Sequence, residues 1–232
     1  MWNGKMTALT FSFDDAVLQD IRFIEILNKY DLKGTFNLNS GRFGRDKDTL
    51  NIGGKIVNHH KVNAADVRSI YEGHEIAAHT IDHPRLPGIA DDAEIIRQVE
   101  EDRLRLSELA GYEVVGFAYP CGGVNNDDRV AKLIKEKTGI KYCRTITSNY
   151  SFDIQENLYR FNPSVYHMEF ERMLELGEKF LKLESDKQQL FYIWGHSYEF
   201  DYVESWEKFE EFLKMMSGHD DIFYGTNKEV LL

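Results

Sequence analysis

Short apolar runs rich in β-formers alternate with longer amphipathic runs along almost the whole chain, and this alternation limits the possible folds more than any other feature. The strand-like runs are Thr7–Phe13, Lys33–Asn39 ("KGTFNLN"), "HEIAAH" from His74, "VVGFAY" from Val114, "KYCRTI" from Lys141, "LFYIWG" from Leu190 and "DIFYG" from Asp221. The helical runs fall between them. Gln19–Tyr30 carries Ile21, Ile24 and Leu27 at inner spacing, and "NAADVRSIYEG" has Asn63 as its cap and Gly73 past its end. Asp91–Ala110 places Ile95, Val99, Leu106 and Leu109 on one face and stops at Gly111. Asn126–Thr138, Met168–Leu183 (stripe Phe170, Met173, Gly177, Leu181) and Glu204–Ser217 (stripe Trp206, Phe209, Leu213, Met216) complete the series. Apolar strands alternating with helices predict a parallel sheet covered by helices. Seven or eight such units favour a closed or nearly closed barrel, whose chemistry gathers at the C-terminal strand ends. One polar segment, Ser40–His60, is too long for a plain connection and reads as a functional loop.

Composition supports one folded unit, 1–232, because 42% hydrophobic and 13% aromatic residues are ample for a core. A net charge of −11 argues against nucleic acid or an anionic membrane as partner. Two cysteines, Cys121 and Cys143, make no disulfide framework. The opening "MWNGKMTALT" has no signal-peptide pattern, and no apolar stretch approaches ~18 residues. The expectation is a soluble, cytoplasmic protein without a transmembrane segment.

Chemistry concentrates at four predicted strand ends. The first strand runs into two adjacent acids, Asp14 and Asp15. Like charges side by side raise each other's cost of ionising. One acid as a helix cap is the plain explanation, and a cation that relieves the repulsion is the sharper one. The third strand runs into "HTIDHP", where His79 and His83 are spaced to reach one side of a short loop that Pro84 keeps from continuing as helix. Two His and one carboxylate make a metal set with open positions for water and substrate. "GFAYPCGG" places Pro120 and glycines in a turn that exposes backbone N–H groups, and "IWGHSYEFD" places His196 after an apolar strand. Singly, each has an ordinary structural explanation; a lone His at a strand end is usually a hydrogen-bonded structural residue.

Together these stretches resemble the polysaccharide deacetylase family, carbohydrate esterases with a distorted (β/α) barrel. Ser12-Phe13-Asp14-Asp15 is similar to the family's Thr-Phe-Asp-Asp motif, and His79-Thr80-Ile81-Asp82-His83 to its His-(Ser/Thr)-x-x-His motif. Phe117-Ala118-Tyr119-Pro120-Cys121-Gly122 is similar to the third motif, and Trp194-Gly195-His196 to the last. The resemblance spans Thr7 to about Tyr224. It implies a distorted α/β barrel of about seven parallel strands. It further implies one divalent metal on Asp15, His79 and His83, with zinc expected first and cobalt or nickel compatible. Asp14 is then the base, His196 the acid that protonates the leaving amine, and the Cys121 N–H an oxyanion donor. Tyr119, Pro120, Cys121 and Trp194 are the expected substrate-binding residues.

One departure stands out. The family's third motif often carries an arginine paired with the base, and here that position is Ala118. Arg160, in "LYRFNP", is the expected substitute. The partner of His196 falls to Glu199 or Asp201, His59 and His60 read as solvent-exposed, and His74 as structural. Tyr142, Tyr150, Phe152, Tyr198 and Tyr202 are candidates to stack on sugar rings. The expected activity is hydrolysis of an N-acetyl group from a sugar. O-acetyl ester or non-sugar amide hydrolysis at the same site is the second reading, and a catalytically silent glycan-binding relative the third.

Overall fold

The computed structural model describes residues 2–232. Its main sheet contains β1 (Thr7–Asp14), β2 (Gly34–Leu38), β5 (Glu75–Ala78), β6 (Gly116–Ala118), β7 (Tyr142–Arg144), β8 (Val165–Tyr166), β9 (Gln189–Gly195) and β10 (Ile222–Tyr224). The order is β7-β6-β5-β2-β1-β9-β8, with β10 paired to the start of β1, and every pair is parallel. The α-helices are α1 (Gln19–Lys29), α2 (Val67–Ile70), α3 (Asp92–Ala110), α4 (Asp128–Lys137), α5 (Phe170–Phe180), α6 (Tyr198–Val203), α7 (Trp206–Met216) and α8 (Asn227–Leu231). The sheet curls into a distorted barrel. Its two ends are bridged by a single segment: Phe161 pairs with Arg144 at the β7 side, and the Ser164 N–H donates to the Tyr192 carbonyl at the β9 side.

Strand parity sets what points where. Leu9, Phe11 and Phe13 on β1, Phe36 and Leu38 on β2, Ile76 and Ala78 on β5, Phe117, Cys143, Phe191 and Ile193 all join the core between sheet and helices. There Phe13 packs on Phe23 with ring centroids 4.2 Å apart, and Phe200 and Phe209 close the cluster. The alternate residues face the barrel interior. Near its lower end, Ala8, Tyr142, Leu190 and Tyr192 meet Trp2, Val230 and Leu231, so α8 plugs the barrel from below. Gly116 makes this packing feasible, since a Cβ there would lie 2.1 Å from the Tyr142 hydroxyl. At the upper end the inward rows finish in Asp14 on β1, Asn37 on β2, Arg144 on β7 and Trp194 on β9, while His79 follows β5 directly.

Three sequence expectations need correction. Ile24 and Leu27 are buried on α1 as expected, but Ile21 is exposed, and Phe23 and Ile26 join the buried face in its place. The polar Ser40–His60 stretch holds an antiparallel hairpin, β3 (Thr49–Ile52) and β4 (Lys55–Asn58), which packs through Leu50, Ile52 and Val57 on Tyr198 and Tyr202. Tyr142 is fully buried in the lower barrel and reaches no sugar site. No helix among the described residues is long and apolar enough to cross a membrane.

Candidate active site

Where β1 ends, the backbone turns sharply. Asp15 has φ +87° and Ala16 φ +54°, both in the left-handed region that residues with a Cβ avoid. Strain of this kind costs on the order of 1–3 kcal/mol per residue and persists only where surrounding structure enforces it. Here the segment after β4 does so: the Val62 N–H donates to the Ala16 carbonyl, the Leu18 N–H to the His60 carbonyl, and Lys61 Nζ to the Asp15 carbonyl at 2.8 Å. Thr80, His83 and Cys121, also at the rim, have positive φ as well.

These turns bring three side chains together. One ligand atom each from Asp15, His79 and His83 lies within 4.8 Å of the others. Asp15 Oδ1 is 3.9 Å from His79 Nε2 and 3.5 Å from His83 Nε2. Each group is held from behind. His79 Nδ1 lies 2.8 Å from the Ala118 carbonyl, which can only accept, so Nδ1 carries the proton and Nε2 turns its lone pair inward. The His79 N–H donates to Asp102 of α3, and Gln98 of the same helix hydrogen-bonds both the backbone and the side chain of Asp82 in the His79–His83 loop. Asp15 Oδ2 meets His59 Nε2 at 3.1 Å, which leaves Oδ1 buried without a partner. Burial opposes the charge on Asp15, but Lys61, the His59 contact, His83 and His196 outweigh it and hold the carboxyl well below its ordinary range. Burial, with His79 nearby, pushes His83 down to about 4, and burial also lowers His79. An ionised carboxylate with a free buried oxygen and two neutral imidazoles is a donor set that fits a divalent cation.

Asp14 sits beside this set, with Oδ2 3.9 Å from His79 Nε2 and 3.9 Å from His196 Nε2. Its partner is Arg144, not Arg160. The wholly buried Arg144 guanidinium reaches both Asp14 oxygens at 2.5 Å, and Asn37 Nδ2 donates to Oδ1 at 2.8 Å. Arg160 lies outside the barrel, hydrogen-bonded to Asn126 and Asp128. In the ladder Arg144 stands directly opposite Ala118, so the guanidinium expected at position 118 comes from the next strand at the same level. Inward parity at the end of "KYCRTI" was the available signal, but register between strands distant in sequence is not readable from one chain.

On the other side, His196 Nδ1 donates to Glu199 Oε2 at 3.0 Å, which directs Nε2 at the cavity. Glu199 also accepts from buried His167 at 2.8 Å and from Tyr166. Burial disfavours a charged His196, but Glu199 first, then Asp14 and Asp15, overcome this and push it up to about 9. Asp201 is engaged with Gln19 and Trp206 and plays no part here. His59, expected at the surface, is buried against Asp15; His74 is a buried structural residue, as expected, accepting from the Gly34 N–H.

A cavity of about 570 Å³ opens over these groups, walled by Trp194, Tyr166, Tyr198, Ile146, Tyr119, Cys121, Leu50 and Arg42 among others. Trp194 stacks on Tyr166 at 4.5 Å and on the Arg144 guanidinium at 4.7 Å, and its Nε1 has no partner. The Tyr119 hydroxyl is spent on the Tyr159 carbonyl. Pro120 is buried and does not line the cavity. The Cys121 thiol lies 3.4 Å from the His83 carbonyl, outside the three-ligand cluster, and burial raises its pKa.

No curated protein matches the chain by sequence. Among solved structures, a Mycobacterium smegmatis protein assigned to the polysaccharide deacetylases shares 19% identity over 98% of this chain and 89% of its own, with a TM-score of 0.67. A family 4 acetyl xylan esterase from Clostridium thermocellum, in complex with a cobalt ion, shares 14% identity over 96% and 89%, with a TM-score of 0.52. A Streptococcus pyogenes deacetylase in complex with acetate shares 18% over 65% of this chain and 61% of its own, with a TM-score of 0.52. At these identities the likeness speaks for the fold alone. The polysaccharide deacetylase family model matches residues 3–143, more than half of the chain. The chain therefore belongs to the polysaccharide deacetylase family.

Proposed function

We propose that the protein hydrolyses the acetyl group of an N-acetylated sugar with the help of one divalent cation, zinc in the first instance and cobalt or nickel as alternatives. The observation that carries this reading is the Asp15–His79–His83 cluster with Asp14 on one side and His196 on the other. Bound by that cluster, the cation would acidify water and polarise the amide carbonyl. Asp14, fixed by Arg144 and Asn37, takes the proton of the water that attacks the carbonyl carbon. The backbone N–H of Cys121 is the proposed donor to the carbonyl oxygen as charge builds on it. His196, protonated and braced by Glu199, gives its Nε2 proton to the departing nitrogen as the C–N bond breaks. Acetate and a free amine result.

The aromatic walls, Trp194 above all, suit the apolar face of a sugar ring. Ester hydrolysis at the same site would depend less on His196, since an alkoxide leaves more easily than an amine. A silent glycan-binding relative has no need for the braced Asp14 and His196. The test is metal content after zinc reconstitution together with acetate release. One metal per chain, lost in His79→Ala/His83→Ala, with acetate freed from N-acetylated oligosaccharides, is expected; folded wild type that takes up no metal overturns the mechanism.

A further inference from the structure

We propose that the sugar taken by this cavity carries an oxyanion, a carboxylate or a phosphate ester, and that Arg42 binds it. The inference rests on the acetyl-sugar reading above and adds to it the charge of the substrate.

Arg42 is rooted in the turn after β2, where its N–H donates to the Asn39 carbonyl. The preceding Gly41 lies so close to the His79–His83 loop that a Cβ would approach Ile81 to 2.6 Å, and the Gly41 N–H donates to the Ile81 carbonyl. The arginine is thus anchored against the loop that carries two of the three cluster residues, and its side chain forms part of the cavity wall beside Leu50, His59 and His83.

The other cations nearby have their partners. Arg144 is held by Asp14, Lys61 by the Asp15 carbonyl and His59, and Arg85, at the rim, by the carbonyls of Gly122 and Val124. Arg42 differs. Its one polar side-chain contact among the described residues is Asp48, at 3.4 Å, longer than a good charge-assisted hydrogen bond. Its Nε, like that of Arg144, is buried with no partner, but the Arg42 side chain is 19% exposed where Arg144 is wholly buried. A guanidinium offers five N–H donors in a planar fork, and unfilled buried donors are costly enough that folded proteins seldom keep them. Their geometry matches two oxygens of a carboxylate or phosphate. On a chain of net charge −11, a cavity guanidinium held only by Asp48 at 3.4 Å is a local reversal of sign that a neutral sugar would not use.

The test is calorimetric binding to zinc-loaded protein carrying His196→Ala, which slows turnover and leaves Arg42 untouched. The probes are N-acetylglucosamine, its 6-phosphate and N-acetylmuramic acid. At least one acidic probe should bind about tenfold or more tightly than the neutral sugar, as a charge-assisted contact would give. Which of the two does so separates phosphate from carboxylate. Adding Arg42→Gln should bring the acidic and neutral affinities within about twofold of each other, and Arg42→Lys should restore part of the preference. Equal affinity for all three probes, no binding by either acidic probe, or a preference that survives Arg42→Gln overturns the proposal. If the acidic probe binds through Arg42 but wild type frees no acetate from it, the deacetylase reading falls and the anion subsite stands.

Discussion

Strand β5 carries a buried acid at its lower end and a site histidine just past its upper end, and the two ends of the barrel follow opposite rules. At the bottom, Glu75 is saturated: Thr35 and the Lys228 N–H donate to one oxygen and Tyr142 to the other. Thr10, Asn227 and Thr35 extend the same network. Burial outweighs these donors and raises the Glu75 pKa, so this acid binds its proton more readily than a free one. At the top, Asp15 is equally buried, yet surrounding positive groups hold it ionised and one oxygen has no partner. Asp15, Ala16, Thr80, His83 and Cys121 at the top have positive φ, as do Trp2 and Asn3 beside the lower cluster, so strained backbone does not by itself separate the two ends. A buried carboxylate whose acceptors are filled holds a fold together; one kept charged and unfilled is ready for a ligand.

Removing the charge of Asp14 should break the top most severely. Asp14→Asn is expected to lower kcat for acetate release by about 10³-fold, within the usual range for general base catalysis, while thermal denaturation shows a folded protein. A loss below tenfold would mean that Asp14 is not the base. Next, Arg144→Met should lower kcat/KM by about 10²-fold and destabilise the fold by about 3–5 kcal/mol, because it leaves Asp14 buried and unpaired. Arg160→Met, on the outer surface, should change activity less than about twofold. Equal losses in the two variants would refute the assignment of Arg144.

The Glu199–His196 link gives a test through pH. With its pKa pushed up to about 9, His196 stays protonated to higher pH in the folded chain than in the unfolded one. Its contribution to stability is therefore complete below about pH 6.5 and is lost as pH rises towards 9. In metal-free protein, Glu199→Gln should lower the His196 pKa by at least about one unit, read by NMR titration, and flatten the decline in stability over that window. An unmoved titration would show that Glu199 does not tune the acid. Smallest in activity is the control at the other end: Glu75→Gln should cost about 1–3 kcal/mol of stability by mismatching a saturated acceptor, with kcat per folded molecule changed less than about twofold. A large fall in kcat would erase the distinction between the two ends.

Much of this was legible in the chain because it is local. Alternation of strand and helix predicted the barrel, and parity within β1 turns Leu9, Phe11 and Phe13 outward and leaves Asp14 on the inner row. Asp14-Asp15 and His79-x-x-x-His83 lie within a few residues of each other, so their closeness needed no tertiary information. His59 looked like loop because polarity around it suggested solvent, whereas the segment after the hairpin pairs with Val17, just past β1, and His59 is buried beside Asp15. Arg144 is 130 residues from Asp14 and Glu199 is 32 from His167. Those pairings depend on which strands are neighbours and in what register, and a one-residue slip would have sent Arg144 to the outer face. The sequence by itself determined the fold class, the inward rows and the three candidate ligands, because periodicity and short spacing are local properties. Which arginine holds Asp14, that His167 meets Glu199, and which guanidinium lines the cavity with only Asp48 beside it were decided by the closure of the barrel.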